Sequence, residues 1–222
     1  VDDFEDGTTQ GWQEGAGLPG TPNPNPPTNV ASGGPDGADD NYLENVSDGV
    51  GVGGRQIIFN TGGNWTGDFI TAGINLVRVV VRVDPSSEGP LDLRIAFQGT
   101  DGARFISTES ISVPDDGVWH VVYLPLFEVS MSRIGGGLTT FSSAASGVTA
   151  LRIMHRPLLT NTLDDWTAVD FNGTVGYDDI SALSIVPFSG WIWLTETFNT
   201  PAFPELDEGK CFGDRKSVVF GE

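Results

Sequence analysis

The sequence predicts an all-β protein, an antiparallel β-sandwich of jelly-roll type, and three observations carry that reading. About a dozen short runs rich in β-branched and aromatic residues follow one another along the chain. The 30 glycines and 14 prolines fall between these runs rather than in one block, which is the spacing of turns and not of a disordered chain. No helical periodicity alternates with the strands, so a parallel α/β sheet is excluded. With 222 residues, one large sandwich core is the simplest organisation. We expect a sandwich domain over 1–187 and a tail over 188–222.

Taken in order, residues 1–5 read as a strand, Asp6-Gly7 as a turn, and 9–13 around Trp12 as the strand's continuation or partner. Residues 15–40 are rich in Gly, Pro, Asn and Ser. Within them, Thr21-Pro22-Asn23-Pro24-Asn25-Pro26-Pro27 lacks the backbone donors for a ladder or helix, so the segment reads as a long surface loop. Strands are expected at 41–44 and at 55–60, where Ile57-Ile58-Phe59 is a buried run, and Trp65 lies in the polar loop 61–68. The longest strand is expected at 73–83, with Arg78 and Arg82 interleaved among apolar residues.

Residues 91–97 alternate cleanly, sending Leu91, Leu93, Ile95 and Phe97 to the core and Asp92 and Arg94 outward. Asp101-Gly102 and Asp115-Asp116-Gly117 read as hairpin turns into 103–113 and 118–124, giving three antiparallel strands in a row. In the last of these, Trp119, Val121 and Tyr123 share one face and His120, Val122 and Leu124 the other. Residues 127–146 read as a loop with one short helical turn, 148–155 as a strand, 158–171 as an irregular insertion around Asp164-Asp165-Trp166, and 173–186 as the closing strand.

The formal net charge of -19, from 30 acids against 11 bases, argues against a nucleic-acid partner, which needs clustered Lys and Arg. One cysteine, Cys211, excludes an internal disulfide and the Cys-rich zinc patterns. No run of eighteen apolar residues predicts a membrane span. The first residues form an acidic strand with no basic and apolar leader, which fits the mature form of a secreted protein and equally a cytosolic one; of the two, the secreted, extracellular setting is the expectation. There is no Gly-x-Ser-x-Gly elbow, His-Glu-x-x-His helix or phosphate loop, so the chain reads as a non-enzyme. A glycoside hydrolase or polysaccharide lyase is the lesser alternative, because among 30 acids some pair always stands at a suitable separation.

Tyr177-Asp178-Asp179-Ile180 and Asp2-Asp3-Phe4-Glu5 are short extended segments that carry adjacent carboxylates beside large apolar side chains. One acid from each can point the same way, and a hard cation would remove their repulsion. Ca2+, which takes six to eight oxygen ligands including backbone carbonyls, suits such a site.

Phe4-Glu5-Asp6-Gly7 followed by Gly11-Trp12, then Trp119-His120-Val121-Val122, Leu151-Arg152-Ile153-Met154-His155 and Tyr177-Asp178-Asp179-Ile180, resemble bacterial secreted jelly-roll domains of the carbohydrate-binding-module, galactose-binding-like type over 1–186. The resemblance implies a non-catalytic module with a structural calcium between first and last strands. It places metal carboxylates at Glu5 and Asp178, with backbone around Asp39 and Asp40 completing the shell; Asp3, on the same face as Glu5, is a further candidate.

A sugar site needs an aromatic face and nearby polar groups. Trp65 with Asn64 and Asp68, and Trp166 with Asp164 and Asp165, sit in polar loops of that kind, and packing beneath the loop is the competing role. Trp12 and Trp119 lie in strands and are assigned to the core. Arg78, Arg82 and Arg94 either hydrogen-bond sugar hydroxyls or, as the simpler reading, pair with the surplus acids; His155 reads as a satisfied polar residue.

The expected function is therefore non-catalytic binding of a polysaccharide or cell-surface glycan by a secreted, calcium-stabilised module. The alternative is a structural or adhesive surface protein that self-associates through its tail or edge strands, with Trp191-Ile192-Trp193-Leu194 as an interface strand. Ile185-Val186-Pro187 begins like a Val-Pro-Glu-Pro sorting signal, but Phe188-Ser189-Gly190 departs from it, so the tail from Phe188 is expected to be non-native in origin.

Overall fold

The computed structural model describes residues 1–15, 25–188 and 191–194. Its strands are β1 (Gln13–Glu14), β2 (Thr28–Val30), β3 (Tyr42–Asp48), β4 (Ile57–Asn60), β5 (Leu76–Val83), β6 (Leu91–Gly99), β7 (Arg104–Ser107), β8 (Ile111–Val113), β9 (His120–Pro125), β10 (Met131–Gly135), β11 (Val148–His155), β12 (Asn172–Leu183), β13 (Ile185–Phe188) and β14 (Trp191–Leu194), with one short helix, α1 (Phe141–Ala145). They form an antiparallel jelly-roll sandwich. A seven-stranded sheet runs β1-β4-β11-β6-β7-β10 with β8 also on β6, and a five-stranded sheet runs β2-β3-β12-β5-β9.

Strand alternation builds the core. Leu91, Leu93, Ile95 and Phe97 of β6 and Leu151 and Ile153 of β11 face Val77, Val79, Val81 and Val83 of β5 and Val175 and Tyr177 of β12. Each of the larger aliphatic side chains contributes about 1.5–3 kcal/mol on burial. The expected core assignments in β6 hold, as does that of Trp12.

Several local expectations change. Residues 1–5 make no strand but a single bridge, Asp2 to Ile180, with N–H···O bonds of 2.8 and 3.0 Å. The Asp2 carboxylate Oδ2 accepts the indole N–H groups of Trp12 (2.8 Å) and Trp65 (2.5 Å), so the backbone of the first segment is joined to β12 and its Asp2 side chain to the two indoles. The longest strand is β12, of 12 residues, rather than β5, of 8. The 103–113 segment breaks into β7 and β8, both paired with β6, and β9 then crosses to β5 in the other sheet instead of closing a hairpin. Period-two alternation is the same for a hairpin and a crossover, so it does not reveal the partner. A strand, β10, lies in the 127–146 stretch, where glycines obscured the pattern, and β2 lies within the 15–40 loop.

Arg94 leaves the core as expected, yet it is buried. The loop after β11 folds across the outer face of the seven-stranded sheet, where Leu159, Trp166 and Ala168 pack on Ile57, Ala96, Ile106, Ile134 and Met154. Arg94 donates to the carbonyls of Ser107, Thr108, Arg156 and Pro157, pinning that loop through backbone acceptors rather than through an acid.

His155 ends β11 with its Nδ1 accepting the Asp92 N–H at 3.0 Å, a bond only the neutral ring can make. Burial pushes its pKa down, against the opposing charges of Asp92 and Glu88. Below an unfolded pKa of about 6.5 the unfolded chain takes up a proton that the native chain refuses. Stability from this group is thus complete above that pH and falls as the pH drops towards the folded value. We expect the melting temperature to fall more steeply from pH 7.5 to 5.5 in the wild type than in His155→Gln; parallel curves would contradict this.

β13 and β14 pair in register from Ile185↔Leu194 to Phe188↔Trp191, so one edge of the expected interface strand is used within the chain. The expected boundary at 187/188 falls inside β13. Most of the tail to which a non-native origin was assigned, 189–190 and 195–222, lies outside the described residues.

Candidate ligand-binding face and acidic clasp

The two loop tryptophans present no open ring to a ligand. Trp65 is 3% exposed, tilted against Trp12 at 5.4 Å and tied to Asp2. Its neighbour Asn64 stays at the surface, and Asp68 is spent on a turn, accepting the Thr71 hydroxyl and N–H. Trp166 is 5% exposed, with the Arg152 guanidinium 4.2 Å and that of Arg104 4.9 Å from its ring. In the 3-10 turn 163–166 Asp164 is exposed, whereas Asp165 is buried and accepts from Arg156 (2.5 Å) and from the N–H and hydroxyl of Thr160. Burial pushes the Asp165 carboxyl up, but the Thr160 and Arg156 hydrogen bonds bring it below its ordinary value. The physical reason for the correction is area: an indole buries 150–250 Å2, and both loops fold down on a sheet to do so.

The other sheet is partly covered on its outer face: Tyr42, Val80 and Asp178 are buried there, while Glu44, Arg82 and Trp119 are half-buried and Val46 and Val121 exposed. Register places Thr28, Glu44, Gly176 and Arg82 in one row across β2, β3, β12 and β5, and Val80 joins Asp178 and Val121 in the next. Trp119, just ahead of β9, lies on this side. The Arg82 guanidinium sits 5.0 Å from the Trp119 ring and 5.1 Å from that of Tyr42, and the two rings meet edge-on at 5.3 Å. Arg82 donates to the Tyr42 hydroxyl (3.2 Å), which donates onward to Glu44 (3.3 Å), while the Trp119 indole N–H donates to the Gly33 carbonyl (3.2 Å). Burial, then the Glu44 charge, raise the Tyr42 pKa, so its hydroxyl stays protonated.

Among the described residues no carboxylate forms an ion pair with Arg82, although Arg78 on the same strand pairs with Asp179 at 3.2 Å. Acid pairing therefore holds for Arg78 and not for Arg82 or Arg94. Val46 and Val121, each 46% exposed, extend the apolar surface around this cluster. Trp119 is thus only half-buried and lies outside the core. Alternation assigned it correctly to a face with Val121 and Tyr123, but both faces of β9 are apolar, so the pattern did not say which one was inside.

The predicted acids gather around the Asp2–Ile180 bridge. Asp178 is 2% exposed, and its carboxyl is pushed up to about 8 by burial and by the charges of Asp179, Asp40 and Asp3, against the Asp179 N–H donated at 2.7 Å. Asp40 is raised by burial and by Glu5 and Asp36, although the Asp36 N–H donates to it. Glu5 accepts the Asn41 N–H at 2.7 Å. Phe4 (φ 59°) and Asp179 (φ 48°) are both left-handed here, a strain of about 1–3 kcal/mol each, which persists only where the surroundings enforce it. Among the described residues no three acid, His or Cys side chains already converge as a metal-ligand group. The oxygen-only donor set fits a hard cation completed by backbone carbonyls.

No protein-family model matches the chain, and no curated protein matches it. Solved structures of similar fold include an exo-β-agarase (12% identity, 84% of this chain and 25% of that one, TM-score 0.52). Others are a family 11 carbohydrate-binding module from Clostridium thermocellum in complex with a β-1,3-1,4-mixed-linked tetrasaccharide (14% identity, 83% and 94% covered, TM-score 0.47), and a family 30 carbohydrate-binding module of a Clostridium thermocellum cellulosomal cellulase (22% identity, 83% and 96% covered, TM-score 0.46). This chain spans about a quarter of the agarase's length. At the level of fold, the jelly-roll resemblance read from the sequence holds.

Proposed function

We propose that the protein is a secreted, non-catalytic module that binds a polysaccharide on the outer face of its five-stranded sheet. The observation that carries this reading is the half-buried row of Glu44 and Arg82 either side of Gly176, with the half-buried Trp119 ring beside it and the buried Tyr42 ring backing it. An aromatic ring covers the apolar side of a sugar, while Glu44 accepts from and Arg82 donates to its hydroxyls. Arg82 is held by the two rings, the Tyr42 hydroxyl and the Gly33 carbonyl instead of an acid, so its charge is left without a carboxylate partner to meet a ligand. The fold match to part of an exo-β-agarase is in keeping with a polysaccharide setting.

Calcium at the clasp belongs to this reading as a structural element. Glu5, Asp40 and Asp178, with Asp3 beside them and carbonyls near Asp39 and Asp40, are the groups that would hold it. It would offset the mutual repulsion of these acids, of which Asp178 is buried, and lock the first segment to β12, with no part in contacting sugar. The test is affinity electrophoresis of the protein through gels containing neutral β-glucans, xylan, agar or pectin. Retardation by at least one polymer is expected, and free migration through all of them would overturn the reading.

A further inference from the structure

We infer that Gly176 is the seat of the aromatic cluster, the position whose missing side chain lets the tip of the Trp119 ring reach down to the sheet. This rests on the sugar-binding reading for its functional consequence and on geometry alone for its structural one. Gly176 occupies a central strand, paired with β3 through Glu44 and with β5 through Arg82. Glycine weakens a strand interior, and there it commonly marks a close approach by another group. The backbone does not demand it, because Gly176 is not among the residues with positive φ.

The space does demand it. A Cβ at Gly176 would stand 2.6 Å from Trp119 Cη2, 3.3 Å from Trp119 Cζ3 and 3.2 Å from Tyr42 Cδ2. The tips of the two rings thus occupy the room of one absent methyl group. Neighbouring strands are about 4.8 Å apart, so Glu44 and Arg82 flank this seat at backbone positions roughly 10 Å from each other. An acceptor, an apolar floor and a donor are thereby set in one row. A side chain at 176 would lift the indole off that floor, out of line with both polar groups.

Gly176→Ala is therefore a positioning variant in which fold and function separate, since alanine suits an ordinary strand conformation better than glycine does. With 5-fluorotryptophan incorporated, and the Trp119 signal assigned from Trp119→Phe, the 19F spectrum reads the ring's surroundings directly. We expect Gly176→Ala to melt cooperatively, to move the Trp119 resonance, and to bind the retained polysaccharide at least tenfold more weakly. If Gly176→Ala melts poorly, adding Trp119→Phe should restore the melt by removing the overlap; no restoration would overturn the assignment. An unmoved Trp119 resonance would overturn it too. If Trp119→Ala loses binding while Gly176→Ala binds normally, the sugar face stands and the role of Gly176 falls. Should the wild type bind no polysaccharide, the functional reading fails, and the seat is decided by the 19F shift alone.

Discussion

Asp165→Ala is expected to lower the melting temperature by roughly 6–20 °C, among the largest losses from any single substitution. Asp165 is fully buried and accepts from the Arg156 guanidinium, the Thr160 N–H and hydroxyl, and the Thr162 N–H. Alanine leaves a buried guanidinium without its counter-charge and several donors without an acceptor. Removing one partner of such a pair costs about 3–5 kcal/mol. For a domain of this size each kcal/mol is worth about 2–4 °C. Since the pair ties down the loop that carries Trp166 over the seven-stranded sheet, near-ultraviolet circular dichroism should change along with the melt. Binding should survive below the melting point, because the sugar face belongs to the opposite sheet. A shift under about 2 °C would mean that the loop is not anchored as described.

Chelation is expected to produce the second large effect. A cation bound only by the folded chain at a hundred times its Kd stabilises by about 2.7 kcal/mol. The melting temperature in calcium should therefore exceed that in EDTA by roughly 5–10 °C. Asp178→Asn removes the carboxylate a cation would bind while keeping the shape, so its melt should be the same in calcium and in EDTA. A wild-type melt indifferent to EDTA would remove the metal from the account, and a chelator effect that persists in Asp178→Asn would move it to other ligands.

Much of the fold was legible because alternation is a strong signal in strands with one buried face. Leu91, Leu93, Ile95 and Phe97 are the clear case, and all four lie in the core. Pairing partners were not legible: Asp116-Gly117 looks the same whether the chain turns back on its neighbour or crosses to another sheet. The meeting of the first and last segments was readable in outline because Asp2-Asp3-Phe4-Glu5 and Tyr177-Asp178-Asp179-Ile180 each set acids beside large apolar anchors, and Asp2 bridges Ile180. The aromatic cluster was not. Polarity of the surrounding loop pointed to Trp65 and Trp166, yet Asp2 and Arg152 reach into those loops from elsewhere in the chain and draw both indoles under cover. Trp119 was hidden by the opposite effect, an apolar strand whose outer face stays partly open. The glycine at 176 was the one sequence signal for it, a residue with no turn to make in the middle of a strand.

The central claim is that Trp119 on the outer face of the five-stranded sheet carries polysaccharide binding. The direct measurement is calorimetric titration of wild type and Trp119→Ala with the polymer that retards the protein, both at a temperature well below their melts. The account predicts at least tenfold weaker binding by Trp119→Ala, about 1.4 kcal/mol, with its melting temperature close to that of the wild type. Equal affinity in the two proteins would contradict it.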